Sequence, residues 1–265
     1  MAEAEINSTD EFEEMRPRRL RFDWLLPVFF RPGRTMKAIT AQESGVWLAP
    51  LLVLSILALV LTLAGGPART AASQAQASGE LPPDFQYWSP EQQEQYFQSQ
   101  QNRSSPVVIY VLPALGALAG VWISWILLGS ILHLGLTLVG SRGSNTSALN
   151  LAAWASMPLA VRFLVQTVWL LATRQVIQAP GVSGFIAADA AGFQAFLRSL
   201  LAHIDLYTLW MVVLLLVGVV PLTGLGKGKA WLAVIVSVLL LLALQSLPAF
   251  IGAQLSGLNP ARMFF

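Results

Sequence analysis

Five long apolar runs separated by polar stretches organise the chain. Val46–Ala64 sits in an uncharged interval between Glu43 and Arg69, close to the ~20 residues that cross ~30 Å of hydrocarbon. Pro106–Val139 fills the longest uncharged interval, bracketed by Arg103 and Arg142. Its glycines (Gly116, Gly120, Gly129, Gly135) are scattered and no polar turn interrupts it, so the pattern predicts one overlong, tilted helix rather than two. Further runs follow over 149–173, 205–222 and 230–251. The expectation is an all-α, polytopic membrane protein with five transmembrane helices and interfacial amphipathic helices beside them.

The polar stretches carry their own signals. Residues 1–19 mix acids, Asn, Ser and Arg without apolar periodicity and predict a disordered tail; a membrane domain would then cover 20–252, and 253–265 a short tail. From Leu20, arginines alternate with Phe22, Trp24, Leu25, Phe29 and Phe30, a headgroup-layer composition. Pro32 opens a short helix expected to lay Met36 and Ile39 on lipid while Arg34 and Lys37 stay wet. Pro67–Ser105 reads as a soluble loop holding one helix, begun by Ser89 as cap, Pro90 at the first position and Glu91 next. In a second loop, 174–203, the apolar positions Phe193, Phe196, Leu197, Leu200 and Leu201 recur at helical spacing, as on a helix lying along the membrane surface.

Composition agrees with the pattern. The chain is 55% hydrophobic and only 11% charged over 265 residues, too little polar material to coat a water-soluble globule. There is no cysteine, so disulfides, thiolate nucleophiles and thiolate-held metals are excluded. The charge is +2, with basic residues near the span ends, a placement suited to anionic lipid rather than nucleic acid. No secretory leader is legible in the acidic first fifteen residues. With five spans, one side collects Arg16, Arg18, Arg19, Arg21, Arg31, Arg34, Lys37, Arg142, Lys227 and Lys229; the other has Arg69, Arg103, Arg174, Arg198 and Arg262. That bias predicts a cytoplasmic N-terminus and an exoplasmic C-terminus.

Candidate chemistry centres on the third run. Arg162 lies well inside it, where an unpaired guanidinium costs ~2.5–3.5 kcal/mol. Pro158, Arg162, Gln166, Trp169 and Thr173 share one helical sector, and Pro158 predicts a kink by freeing the Trp154 carbonyl. Arg162 is thirteen residues beyond Leu149, and Asp205 seventeen before Leu222, so their depths differ by about 6 Å. An Arg162–Asp205 ion pair holding two helices together is the leading expectation. The alternatives are a polar pathway or ligand site with Gln166, Gln245 and His133, or Asp205 serving only as a helix cap. His133 and His203 stand far apart without a metal-binding motif, so neither a metal nor a cofactor is expected. GLGKGKA lacks phosphate-loop spacing and reads as a basic anchor.

At the fourth run, IDLYTLWMVVLLLVGV followed by LTGLGKGKAW resembles the Asp-aromatic-x-x-Trp span and basic turn of the Yip family of Rab-interacting integral membrane proteins. FFRPGRTMKAI, SPEQQEQ and AAWASMPLAVRFLVQ are similar to its entry helix, first loop and third span, in that order. The resemblance runs from about Phe29 to Phe250 and implies five membrane helices with a cytoplasmic N-terminus. It also implies a non-enzymatic scaffold or adaptor that organises the bilayer and protein partners, or a homo-oligomer; eukaryotic members resemble adaptors of prenylated Rab GTPases. In a prokaryote the implied location is the cell membrane. A small transporter or channel subunit built around Arg162, Gln166, Asp205 and Gln245 is the alternative.

Overall fold

A computed structural model describes residues 20–77, 81–82, 84–177, 179–187, 190 and 192–257. The expected tail over 1–19 lies outside them, as does 258–265 of the expected C-terminal tail. Among the described residues the fold is all-helical: α1 Pro32–Thr40, α2 Leu48–Ala64, α3 Gly66–Ala77, α4 Pro90–Arg103, α5 Leu112–Leu138, α6 Asn145–Ala155, α7 Pro158–Thr173, α8 Phe193–Ala202, α9 Leu206–Thr223 and α10 Lys227–Gly257. Five stretches are long and apolar enough to cross a membrane: α2 with α3, α5 with a π-turn at Val107–Val111, α6 with α7, α9, and α10. The second run is therefore one helix.

The third run differs from expectation. Instead of a kinked helix it is two helices, α6 and α7, meeting at Ser156 and Met157. Pro158 has no N–H to give to Trp154, so the Met157 N–H takes that carbonyl at 3.2 Å in a tighter turn. The Ser156 hydroxyl donates back to Ala152 O at 2.8 Å, and Pro158 then starts α7 at a position where proline is favoured.

Two further corrections concern the polar stretches. Residues 66–77, read as loop, form α3: Pro67 falls in the first turn, where its missing N–H is harmless, and Ala and Gln carry the helix on. Arg69 ties this corner together, its Nε donating to Ile109 O at 3.0 Å and its Nη2 to Thr62 O. Secondly, α1 does not rest on lipid. Met36 and Ile39 are fully buried, and α1 packs against α6 and α9 while Arg34 and Lys37 stay exposed. A Cβ on Gly218 of α9 would lie 2.3 Å from the Leu151 Cδ1 and 3.3 Å from Met36, so the three helices meet closely here and a larger residue would make Leu151 shift.

The start of α4 follows its sequence signal. Ser89 Oγ accepts the Gln92 N–H at 3.3 Å, and Gln92 Oε1 accepts the Ser89 N–H at 3.0 Å, a reciprocal capping box. The Glu91 carboxyl beside it is held below its ordinary range by its own backbone N–H and the Ser89 hydroxyl. Helix α8 also forms where expected, but its apolar face meets α10, with Phe196 edge-on to Phe250 at 6.1 Å. The fifth helix runs on past the expected end at 251 to Gly257, because Pro248 is accommodated within it.

The core is concentrated at the end of the bundle that displays Arg31, Arg34, Lys37, Arg142, Lys227 and Lys229. There α5 contributes Trp125, Leu128, Leu132 and Leu136, whereas Leu112–Ser124 of the same helix contributes no buried residue.

Candidate functional site: the Arg162 junction

The site begins with the break after α6. Ending one helix at Ala155 and starting the next at Pro158 puts Arg162 one turn into α7, facing the entry of α9. Asp205, the cap of α9, uses both of its oxygens: Oδ1 accepts the Thr208 N–H at 2.8 Å, while Oδ2 lies 3.1 Å from Arg162 Nε. The Thr208 hydroxyl adds a bond to His203 O at 2.7 Å. Side-chain exposure is 18% for Arg162 and 15% for Asp205, so solvent screening of the pair is limited. The Nε–H is not aimed along the line to Oδ2, which makes the contact an ion pair rather than a directed hydrogen bond. The terminal nitrogens of Arg162 donate to no described residue.

Arg162 stands between two cavities. The larger, about 380 Å³, lies at the centre of the bundle and takes lining from all five spans, including Leu54 and Ala58 of α2, Gly120 and Ser124 of α5, Met211 of α9 and Gln245 of α10. The second, about 330 Å³, lies between α2, α3, α7 and the segment after α7; Arg69, Arg162, Gln166 and Trp169 line it. Leu61, Thr62 and Arg162 belong to both. Of the residues singled out from sequence, Arg162 and Gln245 thus share the central cavity, and Arg162, Gln166 and Trp169 the outer one. Gln245 Nε2 donates to Ser124 Oγ at 2.7 Å, linking α10 to α5. Pro158 is buried at the start of α7, and His133 lines neither cavity. His203 does reach the central cavity, its Nδ1 2.8 Å from Ser199 O. Among the described residues no three His, Asp or Glu side chains gather as a metal would require.

A family model, the Yip1 domain, matches residues 26–250, nearly the whole chain. The chain belongs to the Yip1 domain family. No curated protein and no solved structure matches it. In this Yip1 domain three of the segments that carried the resemblance, the entry helix, the third span and the fourth span, pack together. The proline-containing entry helix α1 packs on α6 and α9, and the Ser-x-Pro element is the break between α6 and α7 that sets Arg162 opposite Asp205.

A second polar centre of the Yip1 domain escaped the sequence reading. Asn150 is fully buried on α6, its Oδ1 accepting the Val46 N–H at 2.9 Å and its Nδ2 donating to Ser44 O at 2.9 Å. One turn on, Trp154 Nε1 donates to Val46 O at 3.0 Å. The segment between α1 and α2 has no helical partners for these groups, so α6 supplies them. An Asn followed four residues later by Trp inside an apolar run was the available signal. Trp47, Trp122 and Trp125 pack around the same region, with Trp125 Nε1 donating to Leu149 O at 2.9 Å.

Proposed function

We propose that this chain is a non-enzymatic multi-pass membrane scaffold that organises protein partners, or further copies of itself, within the bilayer. Its N-terminus is cytoplasmic and its C-terminus exoplasmic, and in a prokaryote it resides in the cell membrane. The observation that carries this reading is the outer half of α5. There Leu112, Leu115 and Ile123 are exposed, and a Cβ on Gly116 meets nothing within 4 Å. An apolar helix face with a small residue at its middle allows another helix to approach closely in lipid. The charged residues, by contrast, gather at the bundle ends or are turned inward at the Arg162–Asp205 contact, which in this reading clamps α7 to α9.

Because the chain contains no cysteine, single cysteines at Leu112, Leu115 or Ile123 give a clean crosslinking test in native membranes. Crosslinked species from this face, lost in Gly116→Leu while the monomer remains folded, are expected. Absence of any crosslinked species from all three positions overturns the proposal. The transporter reading draws support from the central cavity, where Arg162, His203, Thr208, Ser124 and Gln245 join the apolar lining.

A further inference from the structure

The two cavities that meet at Arg162 differ in how their polar groups are set among apolar ones. The central one is walled largely by Leu, Ala, Val and Trp side chains; the outer one brings Arg69, Arg162 and Gln166 together. Each volume falls in the ~300–1,000 Å³ range of ligand pockets and exceeds the small voids that close packing leaves inside proteins. The lining of both includes two arginines and no acid, and Asp205, in contact with Arg162, is the one carboxylate that offsets them. One positive charge is left over. Arg69 spends Nε and Nη2 on backbone carbonyls, whereas the terminal nitrogens of Arg162 have no partner among the described residues. A planar fork of free donors beside a greasy chamber matches a ligand with an anionic, two-oxygen head and a hydrocarbon tail.

We propose that the junction binds one long-chain anionic amphiphile, its acidic head on Arg162 beside Gln166 and its single acyl chain in the central cavity against Leu54, Ala58 and Leu128. The head supplies affinity and selectivity because a neutral head leaves the guanidinium donors unmatched, and the tail, no less apolar in lipid than in the chamber, contributes by fit. This goes beyond the scaffold reading and does not depend on it, since the α5 face and the cavities are tested by different variants. Gly120 offers a direct way in. Gly120 lies exposed at the chamber's edge, and a Cβ there meets nothing within 4 Å, so a larger side chain has room to narrow the tail space without disturbing the backbone. Gln166 makes no hydrogen bond to a described residue, which leaves it free to be changed.

The test is equilibrium binding of radiolabelled palmitate to the full chain in phosphatidylcholine nanodiscs, with hexadecanol and inorganic phosphate as competitors. Saturable binding near one equivalent is expected, with hexadecanol at least tenfold weaker and phosphate without effect at millimolar concentration. Gly120→Leu and Gln166→Glu should each weaken palmitate tenfold or more, the first by narrowing the tail space and the second by setting a carboxylate beside the head. Only Gly120→Leu should also weaken hexadecanol. Hexadecanol as tight as palmitate, displacement by phosphate alone, or unchanged palmitate affinity in a folded Gln166→Glu variant each overturns the proposal. If Gly120→Leu does not fold, Gln166→Glu decides on its own.

Discussion

Replacing Asp205 by Asn separates the two tasks of that carboxylate. Asparagine keeps a side-chain oxygen for the Thr208 N–H, now accepted at 2.8 Å, and loses the charge that faces Arg162 Nε at 3.1 Å. Removing one partner of a buried ion pair costs ~3–5 kcal/mol because the other charge is left uncompensated. Here each side chain keeps some exposure, 18% and 15%, so about 2–3 kcal/mol is the reasoned cost of Asp205→Asn. Asp205→Ala also removes the helix cap, adding about 1 kcal/mol. Arg162→Leu removes the guanidinium, and the double variant Arg162→Leu/Asp205→Asn leaves neither a stranded charge nor a lost cap. It should therefore recover most of the loss, giving a coupling of about 2 kcal/mol between the sites. Reversible unfolding in mixed micelles with rising dodecyl sulfate, followed by tryptophan fluorescence, measures each corner of the cycle. An Asp205→Asn variant within 0.5 kcal/mol of the parent, or four corners that simply add, would refute the clamp.

Three other outcomes follow from the packing and the caps. Asn150→Leu leaves the Val46 N–H and Ser44 C=O without partners and should cost roughly 2–4 kcal/mol in the same unfolding assay; a change under 0.5 kcal/mol means that water reaches them. Gly218→Val drives a Cβ to 2.3 Å from Leu151 and should destabilise by ~1–3 kcal/mol, with faster hydrogen exchange in α1; unaltered exchange in α1 would contradict the three-way contact. Glu91 has a folded-state value below its ordinary 4.5, so the stability it lends α4 is present above 4.5 and disappears as pH falls through the lowered value. Amide exchange over 90–103, corrected for intrinsic rates, should therefore speed up on acidification below 4.5 in the parent and show no such step in Glu91→Gln.

The five apolar runs were legible because hydrocarbon thickness is a length and the chain answers with lengths. The start of α4 was legible because a cap is local chemistry: Ser89, Pro90 and a partner at Gln92 are all within one turn. What sequence left open was which solvent an apolar face meets. Met36 and Ile39 were correctly marked as one face of a helix, but lipid tails are as apolar as leucine, so periodicity could not say that Leu151 and Gly218 would cover them. Residues 66–77 were read as loop because a stretch rich in Gln, Ser and Ala lacks the apolar periodicity that marks a helix, although Ala and Gln favour one. At Arg162 the depth count brought the right neighbour into range, but it treated ion pair and helix cap as rivals. A carboxylate has two oxygens, and Asp205 gives one to each.

The two ends of the bundle follow from where polar groups could be afforded partners. At the basic end, Asn150 and Trp154 satisfy the backbone between α1 and α2, Gly218 lets α1 sink against α9, and α5 buries Trp125, Leu128, Leu132 and Leu136. At the opposite end the same α5 buries nothing between Leu112 and Ser124, and two cavities meet at Arg162. Tight packing resists opening, whereas segments with few buried contacts open at low free energy. Rearrangement should therefore concentrate around α7, the entry of α9 and the outer half of α5, with the basic end as the fixed base. The Arg162–Asp205 contact joins two of these segments. A charge pair there resists sliding of α7 against α9 more than apolar contact would, because apolar surfaces in lipid lose little when they shift.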